Sequence, residues 1–143
     1  MAMGGTRAGI RDHLWPMQDP RKLIVYERSH DLAVATRKAT RRFAANGYAD
    51  LKNQMTSSAE SIPSNIAEGC GADTPKEFAR FLSISIKSAF ELEGQIRLAK
   101  DYGVLRKAIA TKLSDEVVTI RKMTYKLKGR VLGDVDDDVP PDR

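Results

Sequence analysis

Cysteine, histidine and tryptophan are scarce in this chain of 143 residues, which holds one cysteine, two histidines and one tryptophan. A lone Cys70 cannot close an intrachain disulfide, which suits a reducing compartment. Two histidines are a thin supply for acid–base or metal chemistry. Long apolar runs are missing as well. The longest are four residues, such as Leu23-Ile24-Val25-Tyr26, whereas a membrane-spanning helix needs about 20. No membrane role is expected, and residues 1–20 lack the apolar stretch of a secretory leader. No segment alternates polar and apolar residues with period two over a useful length, so no sheet is expected.

At 41% apolar residues the chain is too hydrophobic to be wholly disordered. Its length suits one domain, large enough to bury roughly 70% of the unfolded chain's surface. The net charge of +5 is unevenly placed. Residues 21–50 carry seven basic and three acidic groups, and residues 104–132 carry eight and two. Residues 133–143 reverse the balance, with five acidic groups and one basic. Without them the body carries +9.

Helical periodicity organises everything between two irregular ends. Residues 1–20 are expected to form a mobile arm and residues 131–143 an acidic tail, around a body at 21–130. Within the body, Val25, Leu32, Ala39 and Phe43 share a helical face, with Ser29 and Thr36 in the gaps. Asn46-Gly47 is a stop signal. A second helix is expected over Asp50–Glu68, capped by Asp50 and kinked or broken at Pro63. A third opens at Thr74-Pro75 with a capping box to Glu77 and carries a stripe from Phe78 to Ala99. Ile84, Ile86 and Phe90 lie off that stripe and are expected to meet another subunit. A fourth runs over Val104–Lys128 on Ile109, Leu113, Val117, Ile120, Thr124 and Leu127. Four helices with short links predict an all-α, antiparallel, up-down-up-down four-helix bundle.

Catalytic patterns are incomplete. Glu27-x-x-His30 resembles half of a di-metal carboxylate site, but His13 has Ile10 where the second glutamate should stand. Cys70 lies at a helix end, where the dipole does not favour a thiolate. Ser57, Ser58, Ser61 and Ser64 lack a nucleophile elbow. Gly69-Cys70-Gly71 lacks the lysine of a phosphate loop. No catalytic residue, metal or cofactor is expected.

A basic surface and one motif remain. Arg37, Lys38, Arg41 and Arg42 lie on the first helix, and Arg121, Lys122, Lys126 and Lys128 on the fourth. Spacings of four residues align Arg37 with Arg41 and Lys38 with Arg42. A phosphate backbone is the expected ligand, so RNA or DNA is one candidate partner. A protein partner is the other. The motif is Ser61-Ile62-Pro63-Ser64-Asn65-Ile66-Ala67-Glu68-Gly69. It breaks local helix rules at Pro63, Asn65 and Glu68, which points to a specific tertiary role. Asn65 is expected to serve backbone groups freed by Pro63. Glu68 is expected to meet Lys87, Arg97 or a cation of another subunit.

That motif is followed by Glu77-Phe78-x-x-Phe81-Leu82 and by Lys87-Ser88-Ala89-x-Glu91-Leu92-Glu93. With Leu23-x-x-Tyr26 and Gln54 before it, the chain resembles the 23S rRNA intervening-sequence protein family over about residues 21–130. The resemblance implies a bacterial, cytoplasmic, non-enzymatic four-helix bundle assembled as a homopentamer. It also implies kinship with the accessory variability protein of diversity-generating retroelements, a basic barrel that binds nucleic acid and a reverse transcriptase. Ser57 and Ala72 stand where relatives often carry arginine, which lowers the positive charge near the motif.

Overall fold

The computed structural model describes residues 19–20 and 23–133. The expected arm and the acidic residues of the expected tail lie outside these, apart from Asp19 and Pro20. Four α-helices form the body: α1 (Ile24–Thr40), α2 (Ala49–Cys70), α3 (Pro75–Asp101) and α4 (Lys107–Val131). Among the described residues there is no strand. No helix among them is long and apolar enough to cross a membrane.

Each helix ends for a local reason. The first stops at Thr40, short of the expected Asn46, and passes into a 3-10 turn over Ala44–Asn46. Buried Phe43 anchors this turn, and its carbonyl accepts from the Tyr48 N–H at 2.8 Å. Gly47 then takes φ 88°, a left-handed conformation that side chains resist. The second helix is entered at Tyr48, so Asp50 is not its cap but an acid in its first turn, complementing the dipole. The third opens with half of the expected capping box: the Thr74 hydroxyl accepts from the Glu77 N–H at 3.1 Å, and Pro75 follows. The Glu77 carboxylate turns to Arg80 at 2.7 Å.

The second helix runs through Pro63 without a break, so of the kink or break expected there the break does not occur. A proline in a helix interior costs about 3 kcal/mol. Pro63 and its neighbours Ile62 and Ile66 are buried, so packing offsets that cost. The carbonyls just before it also gain side-chain donors. Asn65 Nδ2 donates to the Ser61 carbonyl at 2.8 Å, and Ser85 Oγ of α3 donates to the Ile62 carbonyl at 3.1 Å. The carbonyl that Pro63 deprives of its N–H belongs to Ala59, so Asn65 does not serve the group it was expected to serve.

Packing is greatest between α2 and α3, then α3 and α4, then α1 and α2, and least between α1 and α4. The helices therefore form a square in chain order. Gly69 faces Phe78, Ser61 meets Ser88, and Tyr48 stacks on Tyr102. Residue numbers rise along α2 as they fall along α3, so this pair is antiparallel. The same holds for α1 and α4. Arg28 pairs with Glu116 at 2.6 Å, while Lys38 and Ala39 share a groove of about 670 Å³ with Ile109 and Lys112.

The core is aliphatic, built on Met55, Ile62, Ile66, Leu82, Leu92, Ile96, Val117 and Ile120 with Phe43 and Phe78. Buried threonine hydroxyls are satisfied within their own helices. Thr36, Thr40 and Thr124 donate to the carbonyls four residues earlier, at 2.8, 2.9 and 2.7 Å.

Candidate nucleic-acid interface

The eight cations expected to contact phosphate do not form one surface. Arg28 and Glu116 mark a common level on α1 and α4. Lys38 and Lys126 each lie ten residues from that level, in opposite directions. At ~1.5 Å per residue the two clusters are about 30 Å apart, at opposite ends of the bundle. Antiparallel topology separates two helical C-terminal segments that composition alone had merged.

Two of the eight are also engaged. Arg121 is a correction to the expected set: it is 8% exposed, donates from Nε to Glu93 at 2.7 Å, and lies 4.4 Å over the Phe90 ring. A guanidinium so enclosed cannot meet a polymer at the surface. Arg37 is exposed but pairs with Glu60 at 2.8 Å. Lys38, Arg41, Arg42 and Lys126 are exposed, and Lys122 and Lys128 are half-buried.

The end that carries Lys38, Arg41 and Arg42 gains cations from the other helices. Lys52 lies in the first turns of α2, Lys100 at the end of α3, and Arg106 and Lys107 at the start of α4. Asp50 and Asp101 are the acids beside them, and Asp101 lies 3.8 Å from Arg97 and 3.9 Å from Lys100. No acid occupies the first turn of α4, so Arg106 and Lys107 sit where the helix dipole disfavours positive charge. At the same end of the bundle the Tyr48 and Tyr102 rings stack at 5.8 Å, 26° from parallel.

A family model described as 23S rRNA-intervening sequence protein matches residues 21–126. The chain belongs to that family. No curated protein matches the sequence. The region shared with the 23S rRNA-intervening sequence proteins takes in α1, α2 and α3 and most of α4, and with them the whole basic end. Lys128 and the acidic tail fall beyond it.

The Ser61–Gly69 motif of this family member ties two helices together. Ser61 Oγ meets Ser88 Oγ at 2.7 Å, and Asn65 Nδ2 donates to the same Ser61 hydroxyl at 2.9 Å. Pro63 is buried against the core. Gly69 is buried against Phe78, where a Cβ would lie 2.7 Å from a ring carbon. Glu68 is exposed and, among the described residues, pairs with neither Lys87 nor Arg97. Arg97 sits at the far end of α3 from it.

Other candidates fall where chemistry is not assembled. Glu27 and His30 are exposed, and the His30 ring lies 6.3 Å from that of Tyr26. Among the described residues no three His, Cys, Asp or Glu side chains come together. Cys70 ends α2 as a buried thiol, and burial pushes it up to about 11, with the negative charge of Asp19 adding to the effect.

The expected interface residues divide between two flanks of α3. Ile84 lies on the side of Ser88, toward α2, whereas Phe90 lies toward Arg121 of α4. At 100° per residue Ile84 and Ile86 face nearly opposite ways. Ile86, Phe90, Gly94 and Leu98 fall at steps of four and make a ridge. Phe90 is 51% and Leu98 44% exposed. Leu98, two turns from Phe90, extends this ridge beyond the three residues expected at the interface.

Proposed function

We propose that this chain is a non-enzymatic, self-assembling bundle protein that associates with nucleic acid through the phosphate backbone without reading sequence. The observation that carries this is the basic end. Lys38, Arg41, Arg42, Lys52, Arg106 and Lys107 make no ion pair among the described residues. Unpaired cations gathered from three helices repel one another, and a polyanion offsets that repulsion by releasing its counterions. Membership of a family described by a 23S rRNA intervening sequence supports RNA as that polyanion. The ridge from Ile86 to Leu98 supports assembly, and unlike flanks on α3 suit head-to-tail contacts that close into a ring, a pentamer by resemblance. A cytoplasmic location fits the single reduced cysteine.

Size-exclusion chromatography with light scattering, with and without RNA at low and raised salt, tests both parts. The expected mass is a multiple of 15.9 kDa, with RNA co-eluting at low salt and released as salt rises. Absence of co-elution at low salt refutes the nucleic-acid reading. A second reading, a protein-interaction scaffold with no nucleic-acid role, draws on the exposed ridge. Capture of one protein partner without nucleic acid favours it.

A further inference from the structure

We propose that the end of the bundle formed by the α1–α2 and α3–α4 turns is a platform for single-stranded nucleic acid. An unpaired base stacks on the Tyr48–Tyr102 pair there, and Arg42, Lys52, Arg106 and Lys107 hold the flanking phosphates. This rests on the nucleic-acid reading above and deepens it by naming the strand state and the contact.

The aromatic pair is the first support. Tyr102 caps the C-terminus of α3 and is 55% exposed although it is already stacked. A ring so placed leaves apolar area in water at the apex of a charged surface. Bases in a duplex are already paired and stacked, whereas an unpaired base offers a free face to such a ring.

The second support is the origin of the cations. Arg42 belongs to the α1–α2 turn, Lys52 to α2, and Arg106 and Lys107 to the cap and first turn of α4, so three parts of the chain bring cations to the end of the bundle that holds the tyrosines. Arg106 and Lys107 oppose the dipole of their own helix, a local cost with no compensating acid in that turn.

The third support is preorganisation. The Tyr48 N–H donates to the Phe43 carbonyl and the Tyr102 N–H to the Leu98 carbonyl, each at 2.8 Å. The amides of Val104 and Leu105 both close on the Ala99 carbonyl at 3.1 Å. Both turns are thus held before any ligand arrives, which lowers the ordering cost of binding.

The test is fluorescence anisotropy on the full chain, with labelled oligo-uridine and an RNA duplex of equal length at low and raised salt. The wild-type protein is expected to bind the single strand more tightly. Tyr102→Ala should weaken the single strand about tenfold and leave the duplex unchanged. Tyr102→Phe should retain binding, and thermal melts establish that both variants fold. Arg106→Gln combined with Lys107→Gln should weaken binding and flatten its salt dependence. If Tyr102→Ala changes neither polymer, or both equally, the platform is refuted while nucleic-acid association stands. If the wild-type chain binds neither polymer at low salt, both readings fall.

Discussion

Arg121 and Glu93 form a partly sheltered ion pair across α3 and α4, with Nε 2.7 Å from the carboxylate and Phe90 packed under the guanidinium at 4.4 Å. Removing one partner strands the other charge in a poorly solvated site. Glu93→Ala is expected to destabilise the fold by about 2 kcal/mol, scaled down from a fully buried pair because Glu93 retains some exposure. Arg121→Met keeps the packing volume and should cost less. Neither change should alter the salt dependence of RNA binding, because Arg121 does not reach the surface. Urea denaturation with anisotropy checks both statements.

Gly69 touches Phe78 so closely that a Cβ would stand 2.7 Å from one ring carbon and 3.3 Å from the Phe78 carbonyl. Phe78 is fully buried and has no free direction in which to move. Gly69→Ala should therefore cost about 1–3 kcal/mol despite the higher helix propensity of alanine, read as a lower thermal midpoint.

The hydroxyl pair Ser61–Ser88 joins α2 to α3. Ser88→Ala leaves Ser61 with the Asn65 amide as its partner, so a loss of about 1 kcal/mol is expected. The double variant Ser61→Ala with Ser88→Ala should lose less than the sum of the single losses, since neither hydroxyl is then stranded. A double-mutant cycle in urea measures the difference.

Cys70 holds its proton to about 11 in the fold, against about 9 for an ordinary thiol. Below pH 9 neither state ionises it, and its contribution to stability is complete. As pH rises from 9 toward 11 the unfolded chain ionises first, so stability falls. Cys70→Ala should remove this part of the alkaline slope. The folded protein should also resist thiol reagents near neutral pH and react on addition of denaturant.

Phe90 and Leu98 lie on one ridge of α3 and keep about half of their surface exposed. Phe90→Asp or Leu98→Asp should lower the assembly mass by light scattering while the helical circular-dichroism signal persists. An unchanged mass refutes the placement of the interface on this ridge. Ile84→Asp tests the other flank independently.

Much of the fold is legible in the sequence because helical spacing speaks directly to burial. The α3 stripe, the Thr74 cap and the left-handed turn at Gly47 stand where local rules put them, although α1 itself ends earlier, at Thr40. The helix continues through Pro63 because the rule for proline is local, whereas burial in the core and the donor from Ser85 of α3 are not. The site is less legible. Arg121 sits four residues after Val117 and three before Thr124, so its register pointed inward, but a charge count cannot weigh register. The two basic clusters merge in a linear tally and part only when helix direction is known. Tyr48 and Tyr102, 54 residues apart in the chain, carry no shared pattern until two turns bring them together.

The hydroxyls and amide around Ser61 also bear on how α2 and α3 slide. An aliphatic seam of leucines and isoleucines repacks tolerably after a shift of one turn, roughly 5.4 Å. Hydrogen bonds have no such tolerance. The same shift would part Ser61 from Ser88 and set Ser61 beside Ile84 or Leu92, which neither accept nor donate. The motif thus selects one longitudinal alignment of the two helices. Because Tyr48 and Tyr102 sit at the far end of that same pair, the alignment also sets whether their rings meet.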